Sequence, residues 1–332
     1  MMKKLLVLFL LVSLLFIAGC KELQDELGVS EVETKEETTT EDKEKEPTDV
    51  PTQEPEPTEE VDPTAVPVED EETSEVVAAP TPLPAFPLNI NFTAEDGTEL
   101  MGDFFPPASQ NAPVVVLMHQ YPMDHNVEWI AIAPWIQNRG LTEAVRSSNE
   151  FWADPRWFTP MIEGADFGVF SFTFRNCIGG CNSDSVESKE EWIIDAVSAI
   201  KAAASFTSID PQKIIVLGTS IGADAGVNAC VRLLDDDSVS CIGVISLSPG
   251  SYLDEDYGEG VAKLDEAGVP VRCVAAENDG HCPDTCLAYE GENYESFIVS
   301  GGEHGIRLFD PESELDVPGL VARSLVEWAY VK

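Results

Sequence analysis

The chain predicts an α/β fold: a mostly parallel central sheet with helices on both faces. Three observations carry that prediction. Continuous apolar runs, such as Val114-Val115-Val116-Leu117-Met118 and Ile214-Ile215-Val216-Leu217, suit strands buried on both sides. Amphipathic helical stretches separate such runs, so strand and helix alternate along the chain. One of the runs ends in Gly218-Thr219-Ser220-Ile221-Gly222, with a helix-forming stretch directly after it.

Taken in order, Leu88 to Thr93 and Glu99 to Phe105 read as two strands of a hairpin about Asp96-Gly97. Pro113 to His119 reads as a central strand. Val127 to Gln137 reads as a helix with Trp129, Ile132 and Trp135 on one side. Leu141 to Trp157 is irregular. Its aromatic run, Phe151-Trp152-Ala153-Asp154-Pro155-Arg156-Trp157-Phe158, fits either a pocket wall or packing of the insert onto the sheet. Phe167 to Phe174 is a further strand. Ser188 to Ser205 is an amphipathic helix whose start, Ser188-Lys189-Glu190-Glu191, has the form of a capping box. Asp210-Pro211 is read as a turn before the strand that ends at Ser220. A helix follows from Ala223 to Leu234, then a strand from Cys241 to Leu247 and a polar insertion to Ala267. Pro270 to Ala276 and Glu295 to Val299 are strands, and Pro318 to Ala329 is a closing helix.

Residues 1–20 stand apart from this pattern. Lys3 and Lys4 precede an apolar run, Leu5 to Phe16, too short for a membrane-spanning helix. It ends in Ile17-Ala18-Gly19-Cys20, which resembles the lipobox of bacterial lipoproteins. The resemblance implies cleavage before Cys20 and acylation of that residue. The chain would then be held at the extracytoplasmic face of the cell membrane by lipid on Cys20. The alternative is an ordinary secretory signal with Cys20 incidental. Residues 21–86 are rich in Thr, Pro and Glu, with 22 acidic residues against 4 lysines. Such a segment buries too little apolar area to offset its ordering entropy, and proline and self-repulsion extend it. It reads as a disordered acidic tether, leaving residues 87–332 as one globular domain.

The formal charge of −42 argues against nucleic acid as a partner, because phosphate binding is built on Lys and Arg. Seven cysteines follow Cys20. In an exported chain their spacing suggests disulfides closing short loops: Cys177 with Cys181, Cys230 with Cys241, and Cys282 with Cys286. The last pair fits bridge geometry least well, its spacing being that of one helical turn. Cys273, in an apolar run, reads as a buried free thiol. The cluster from Asp279 to Cys286 holds ligand types that suit zinc. Its spacing matches no closed tetrahedral pattern, and a disulfide loop is the preferred reading. No metal and no cofactor are expected.

The chemistry centres on Ser220. A strand, a sharp turn and a helix set a serine hydroxyl clear of the backbone, and the Ile221 N–H can face a developing oxyanion. A serine needs a base, and the base an orienting carboxylate. His304, in Gly301-Gly302-Glu303-His304-Gly305 after the last strand, is the best of four histidines. Asp279 follows the strand before it, with Glu277 and Asp284 as rival acids. The order Ser220, Asp279, His304 resembles that of the α/β-hydrolases, in particular the dienelactone-hydrolase-like and prolyl-oligopeptidase-like esterases, over about residues 90–332. The resemblance implies a carboxylesterase working through an acyl-enzyme on a small ester. It places the second oxyanion donor at the Tyr121 N–H and gives His119 a bracing role. Gln120 stands where these relatives usually have glycine, and Phe174-Arg175-Asn176-Cys177 where Asp-x-Arg-Gly is usual. Two alternatives stay open: a serine peptidase of the same fold acting on a peptide, and a non-catalytic binding lipoprotein on a hydrolase scaffold.

Overall fold

The computed structural model describes residues 87–139, 160–182 and 189–331. All of them belong to one compact unit, residues 74–332. The expected signal, Cys20, the tether, the aromatic run at 151–158 and Ser188 lie outside the described residues.

Strands β1 (Leu88–Thr93) and β2 (Glu99–Phe105) form the expected antiparallel hairpin. The Ala94 N–H donates to the Thr98 carbonyl at 2.7 Å to close its turn. β3 (Ala112–Met118) is buried throughout. The single helix expected over 127–137 is instead two short ones, α1 (His125–Glu128) and α2 (Ile132–Ile136). Pro134 accounts for the break: it has no N–H to donate to residue 130, so a continuous ladder cannot pass it. β4 (Gly168–Thr173) precedes α3 (Glu190–Ala204). The expected capping box turns on Ser188, outside the described residues. Within them, Lys189 precedes the first turn without a side-chain cap bond, and the Glu190 N–H donates to Asp254 Oδ2 at 3.1 Å.

β5 (Ile209–Thr219) starts earlier than the sequence suggested. Asp210-Pro211 lies inside it, where the register against β3 shifts between Ala112 and Val114. Then come α4 (Ile221–Arg232), β6 (Cys241–Leu247) and α5 (Tyr257–Glu266), the last a helix inside what had read as a polar insertion. β7 (Val271–Ala276), α6 (Cys282–Leu287), β8 (Tyr294–Val299) and α7 (Val317–Tyr330) complete the domain, with a 3₁₀ turn at Gly305–Phe309.

The sheet order is β1-β2-β4-β3-β5-β6-β7-β8. β2 is antiparallel to both neighbours, and every pair from β4 onward is parallel. The period of two along β3 divides the core. Val114, Val116 and Met118 face one cluster, with Trp192 and Ile193 of α3 and Val227 of α4. Val115 and Leu117 face the other, with Ile132 of α2 and Val321 of α7. Full burial of such a strand on both faces requires helices on both sides.

Disulfides join Cys177 to Cys181 and Cys230 to Cys241, as expected. The third differs: Cys273 pairs with Cys286, and Cys282 is the free thiol. β7 and α6 pack so that the Cα atoms of 273 and 286 stand 5.6 Å apart, inside the range a bridge spans.

Candidate active site

Parallel strands deliver their C-terminal ends to one edge of the sheet, and the residues singled out above lie on the segments leaving that edge. Ser220 sits between β5 and α4 at φ 51°, ψ −117°. A non-glycine residue there costs about 1–3 kcal/mol and persists only when its surroundings enforce it. The surroundings do so through two close approaches. A Cβ on Gly218 would lie 2.2 Å from the Gly222 carbonyl oxygen, and one on Gly222 would lie 2.1 Å from that of Met118. No side chain fits at either position, so β5, α4 and the end of β3 meet backbone to backbone around the serine.

His304 and Asp279 are in contact. His304 Nδ1 lies 2.8 and 2.9 Å from the two carboxylate oxygens of Asp279. Nδ1–H donates to the carboxylate, which leaves the Nε2 lone pair free to accept a proton. Of the rival acids, Glu277 accepts from the Asn278 amide at 3.2 Å, and both it and Asp284 are exposed. Among the described residues neither bonds to His304.

Serine and histidine hang from adjacent residues at the end of β6. The Ser220 N–H donates to the Leu247 carbonyl at 2.8 Å. The Gly305 N–H, directly after His304, donates to Ser248 Oγ at 2.9 Å. Gly305 has φ +58°, and a Cβ on it would lie 1.8 Å from Gln120 Oε1 and 3.4 Å from Thr219 Cβ. The histidine loop therefore rests directly on the residue preceding the serine. Among the described residues no hydrogen bond joins Ser220 to His304. Ser220 is 6% exposed, while the His304 side chain is 33% exposed.

Ile221 opens α4, where first-turn N–H groups lack partners within the helix. The loop after β3 carries Tyr121, 43% exposed. The Gln120 N–H is already taken, donating to Glu128 Oε2 at 2.8 Å, so Tyr121 supplies the next N–H of this loop. His119 is fully buried. Its Nε2 accepts from the Phe174 N–H at 3.1 Å and its Nδ1 donates to the Gln120 carbonyl at 3.0 Å. Burial lowers its pKa to about 4, so it is a neutral brace. The 177–181 disulfide loop supports the same segment from outside: the Cys181 N–H donates to the Pro122 carbonyl and the Gly179 N–H to Asp124 Oδ2, both at 3.1 Å.

Three supporting residues escaped the sequence reading. Glu128, 2% exposed, joins the Gln120 N–H to the Thr219 hydroxyl, linking the loop after β3 to the residue before Ser220. Burial pushes its carboxyl up to about 8. Asp224 on α4 accepts from the N–H groups of Gly250 and Tyr252 and so holds the loop that carries Ser248. Burial pushes it up to about 7. Ser248 itself ties down Gly305. Arg175, at the departure from the usual Asp-x-Arg-Gly, is a scaffold residue. It bonds Asp195 through Nε at 2.9 Å and Asp96 at 2.7 Å, and with them fixes the start of the disulfide loop. A cavity of about 600 Å³ opens between β2 and that loop, lined among others by Met101, Thr173, Asn176 and Ile178. Neither Ser220 nor His304 lines it.

No protein-family model matches the chain. The uncharacterised protein YfhR of Salmonella typhi is 27% identical over 252 residues, spanning 67% of this chain and 76% of YfhR. YfhR of Escherichia coli (strain K12) is 22% identical over 236 residues, spanning 65% and 72%. Among solved structures, the α/β hydrolase GrgF from Penicillium sp. sh18 is similar at a TM-score of 0.50 and 16% identity, covering 73% of this chain and 99% of GrgF. With the strand order above, that likeness establishes the α/β-hydrolase fold.

Proposed function

We propose that this chain, which has the α/β-hydrolase fold, is a serine hydrolase that cleaves carboxylic esters. The observation that carries the reading is the His304–Asp279 pair, suspended beside a strained Ser220 from adjacent residues at the end of β6. Ser220 Oγ attacks the ester carbonyl as its proton passes to His304 Nε2, and the carbon–Oγ bond forms. Asp279 holds the imidazole in the Nδ1–H tautomer and stabilises the imidazolium. The N–H groups of Ile221 and Tyr121 face the oxyanion, each donor contributing about 3 kcal/mol to the barrier reduction. The carbon–alkoxide bond then breaks, and the leaving oxygen takes the proton from His304. Water, activated by the same imidazole, attacks the acyl-enzyme and releases the acid and free Ser220. A peptide substrate would pass through the same steps with an amine leaving group. No residue described here favours amide over ester. We further propose that acylated Cys20 anchors the enzyme to the extracytoplasmic face of the membrane, with residues 21–86 as spacer.

A fluorophosphonate probe tests the catalytic reading. The folded wild-type chain is expected to be labelled at Ser220, and both Ser220→Ala and His304→Ala to lose labelling. A folded wild type that stays unlabelled would replace the enzyme with a binding protein on this scaffold. Metabolic incorporation of a palmitate analogue, lost in Cys20→Ser, tests the anchor.

A further inference from the structure

We infer that Asp279, Cys282 and His304 form an inhibitory binding site for a thiophilic divalent cation of the zinc class. The site keeps Asp279 and Cys282 of the Asp279–Cys286 cluster that the sequence offered and leaves out His281, Asp284 and Cys286. It draws one ligand from a loop 22 residues further along the chain, which no local motif displays.

One ligand-type atom from each of the three residues lies within 4.8 Å of the other two. Cys282 is the one free cysteine among the described residues, the other six being paired. The Cys282 N–H donates to the Asp279 carbonyl at 3.0 Å, a tight turn that fixes the sulfur close to the carboxylate. Sγ lies 3.1 Å from Tyr252 Oη and 3.6 Å from the Ser248 carbonyl oxygen. Thiolate, imidazole and carboxylate are the donor set that zinc prefers, at about 2.0–2.3 Å each, which sets tetrahedral ligand atoms about 3.3–3.8 Å apart. The present upper bound of 4.8 Å lies about 1 Å outside that range. The His304 side chain is one-third exposed, whereas Cys282 is buried.

Binding has a defined chemical consequence. The cation takes the Nδ1 lone pair of His304, one carboxylate oxygen of Asp279 and the sulfur of Cys282, whose thiol proton goes to solvent. The imidazole proton, displaced from Nδ1, moves to Nε2. That atom then carries a proton and can no longer accept one from Ser220. Occupancy of the site rests on the geometry of the three ligands, whereas inhibition rests on the serine-hydrolase reading.

The test uses the full chain, purified without reductant so that its disulfides persist, and reads binding and activity separately. Co²⁺ serves as the spectroscopic probe and Zn²⁺ as the inhibitor. Wild type and Ser220→Ala are both expected to show a thiolate-to-Co²⁺ charge-transfer band, and Cys282→Ser to lack it. Zn²⁺ should abolish wild-type ester hydrolysis, with recovery on adding EDTA, and Cys282→Ser should need at least about tenfold more Zn²⁺ for the same inhibition. No band in wild type, or a band that persists in Cys282→Ser, overturns the site. A band in a wild type that never hydrolyses ester or reacts with the probe upholds the site and sinks the serine-hydrolase reading instead. If Cys282→Ser does not fold, His304→Gln takes its place. Its Co²⁺ affinity is expected to fall about tenfold, and an unchanged affinity overturns the proposal.

Discussion

Two carboxylates flank the candidate site, and their surroundings are opposite. Asp279 leaves the end of β7, keeps a side chain 11% exposed and meets an imidazole that can become a cation. Glu128, on α1, is buried and meets only neutral partners, the Gln120 N–H and the Thr219 hydroxyl. Among the described residues no ion pair reaches it. A carboxylate facing an imidazole can stabilise charge that appears during a reaction. A carboxyl sealed among neutral donors favours its protonated form and acts as a clamp. Position near a serine therefore does not decide a carboxyl group's task; the partner's charge and access to solvent do.

The sharpest way to break this comparison is to remove each charge while keeping its shape. Asp279→Asn should lower kcat by about 10³–10⁴-fold, because an amide no longer selects the Nδ1–H tautomer of His304. Thermal stability should change little. Glu277→Gln and Asp284→Asn, both exposed, should leave kcat within about twofold of wild type. If Glu277→Gln gave the larger loss, the assignment of the acid would move to Glu277. Steady-state ester hydrolysis of the four proteins side by side decides this.

Glu128→Ala should act on folding first. It leaves the Gln120 N–H and the Thr219 hydroxyl without their partner and opens space in the core, a loss of about 2–4 kcal/mol in unfolding free energy. Glu128→Gln fills the same volume and keeps an acceptor for the Gln120 N–H, so it should lose less than half as much. Urea titrations of both variants measure the difference. Equal losses would mean that the clamp needs the acid itself rather than its shape.

What the sequence disclosed follows the same division. The elbow was legible because its demands are local: two glycines forced by backbone contacts, between a strand and a helix. Asp279 and His304 were legible because each follows a strand end and their order along the chain resembles a known family. Glu128 was not legible. Its neighbours in Asn126-Val127-Glu128-Trp129 give no signal, and its partners lie 8 and 91 residues away. The third disulfide failed for a related reason. Cys273 sits in an apolar strand and reads as buried, which it is, but its partner lies on α6, a six-residue helix too short to announce itself by periodicity. α5 was more recoverable. Tyr257, Val261 and Leu264 recur at helical spacing, masked by the acids between them.

A further contrast separates the two carboxylates by pH. Burial raises the Glu128 carboxyl from 4.5 to about 8. Between those values the native state holds a proton that the unfolded chain has released. The resulting stabilisation is complete below pH 4.5 and falls away as the pH rises toward 8, with a limiting slope of about 1.4 kcal/mol per pH unit. Asp224, raised to about 7, pushes in the same direction, and His119, lowered to about 4, pushes in the opposite one. Both remain in Glu128→Gln and cancel when that variant is subtracted from wild type. The difference in unfolding free energy should therefore shift against wild type as the pH is raised from 5 to 8, because the glutamine has no proton to lose. A flat difference across that range would mean that Glu128 keeps an ordinary carboxylate pKa in the folded chain. It would then join Thr219 and Gln120 as an ion, and its contrast with Asp279 would reduce to the partner's charge alone.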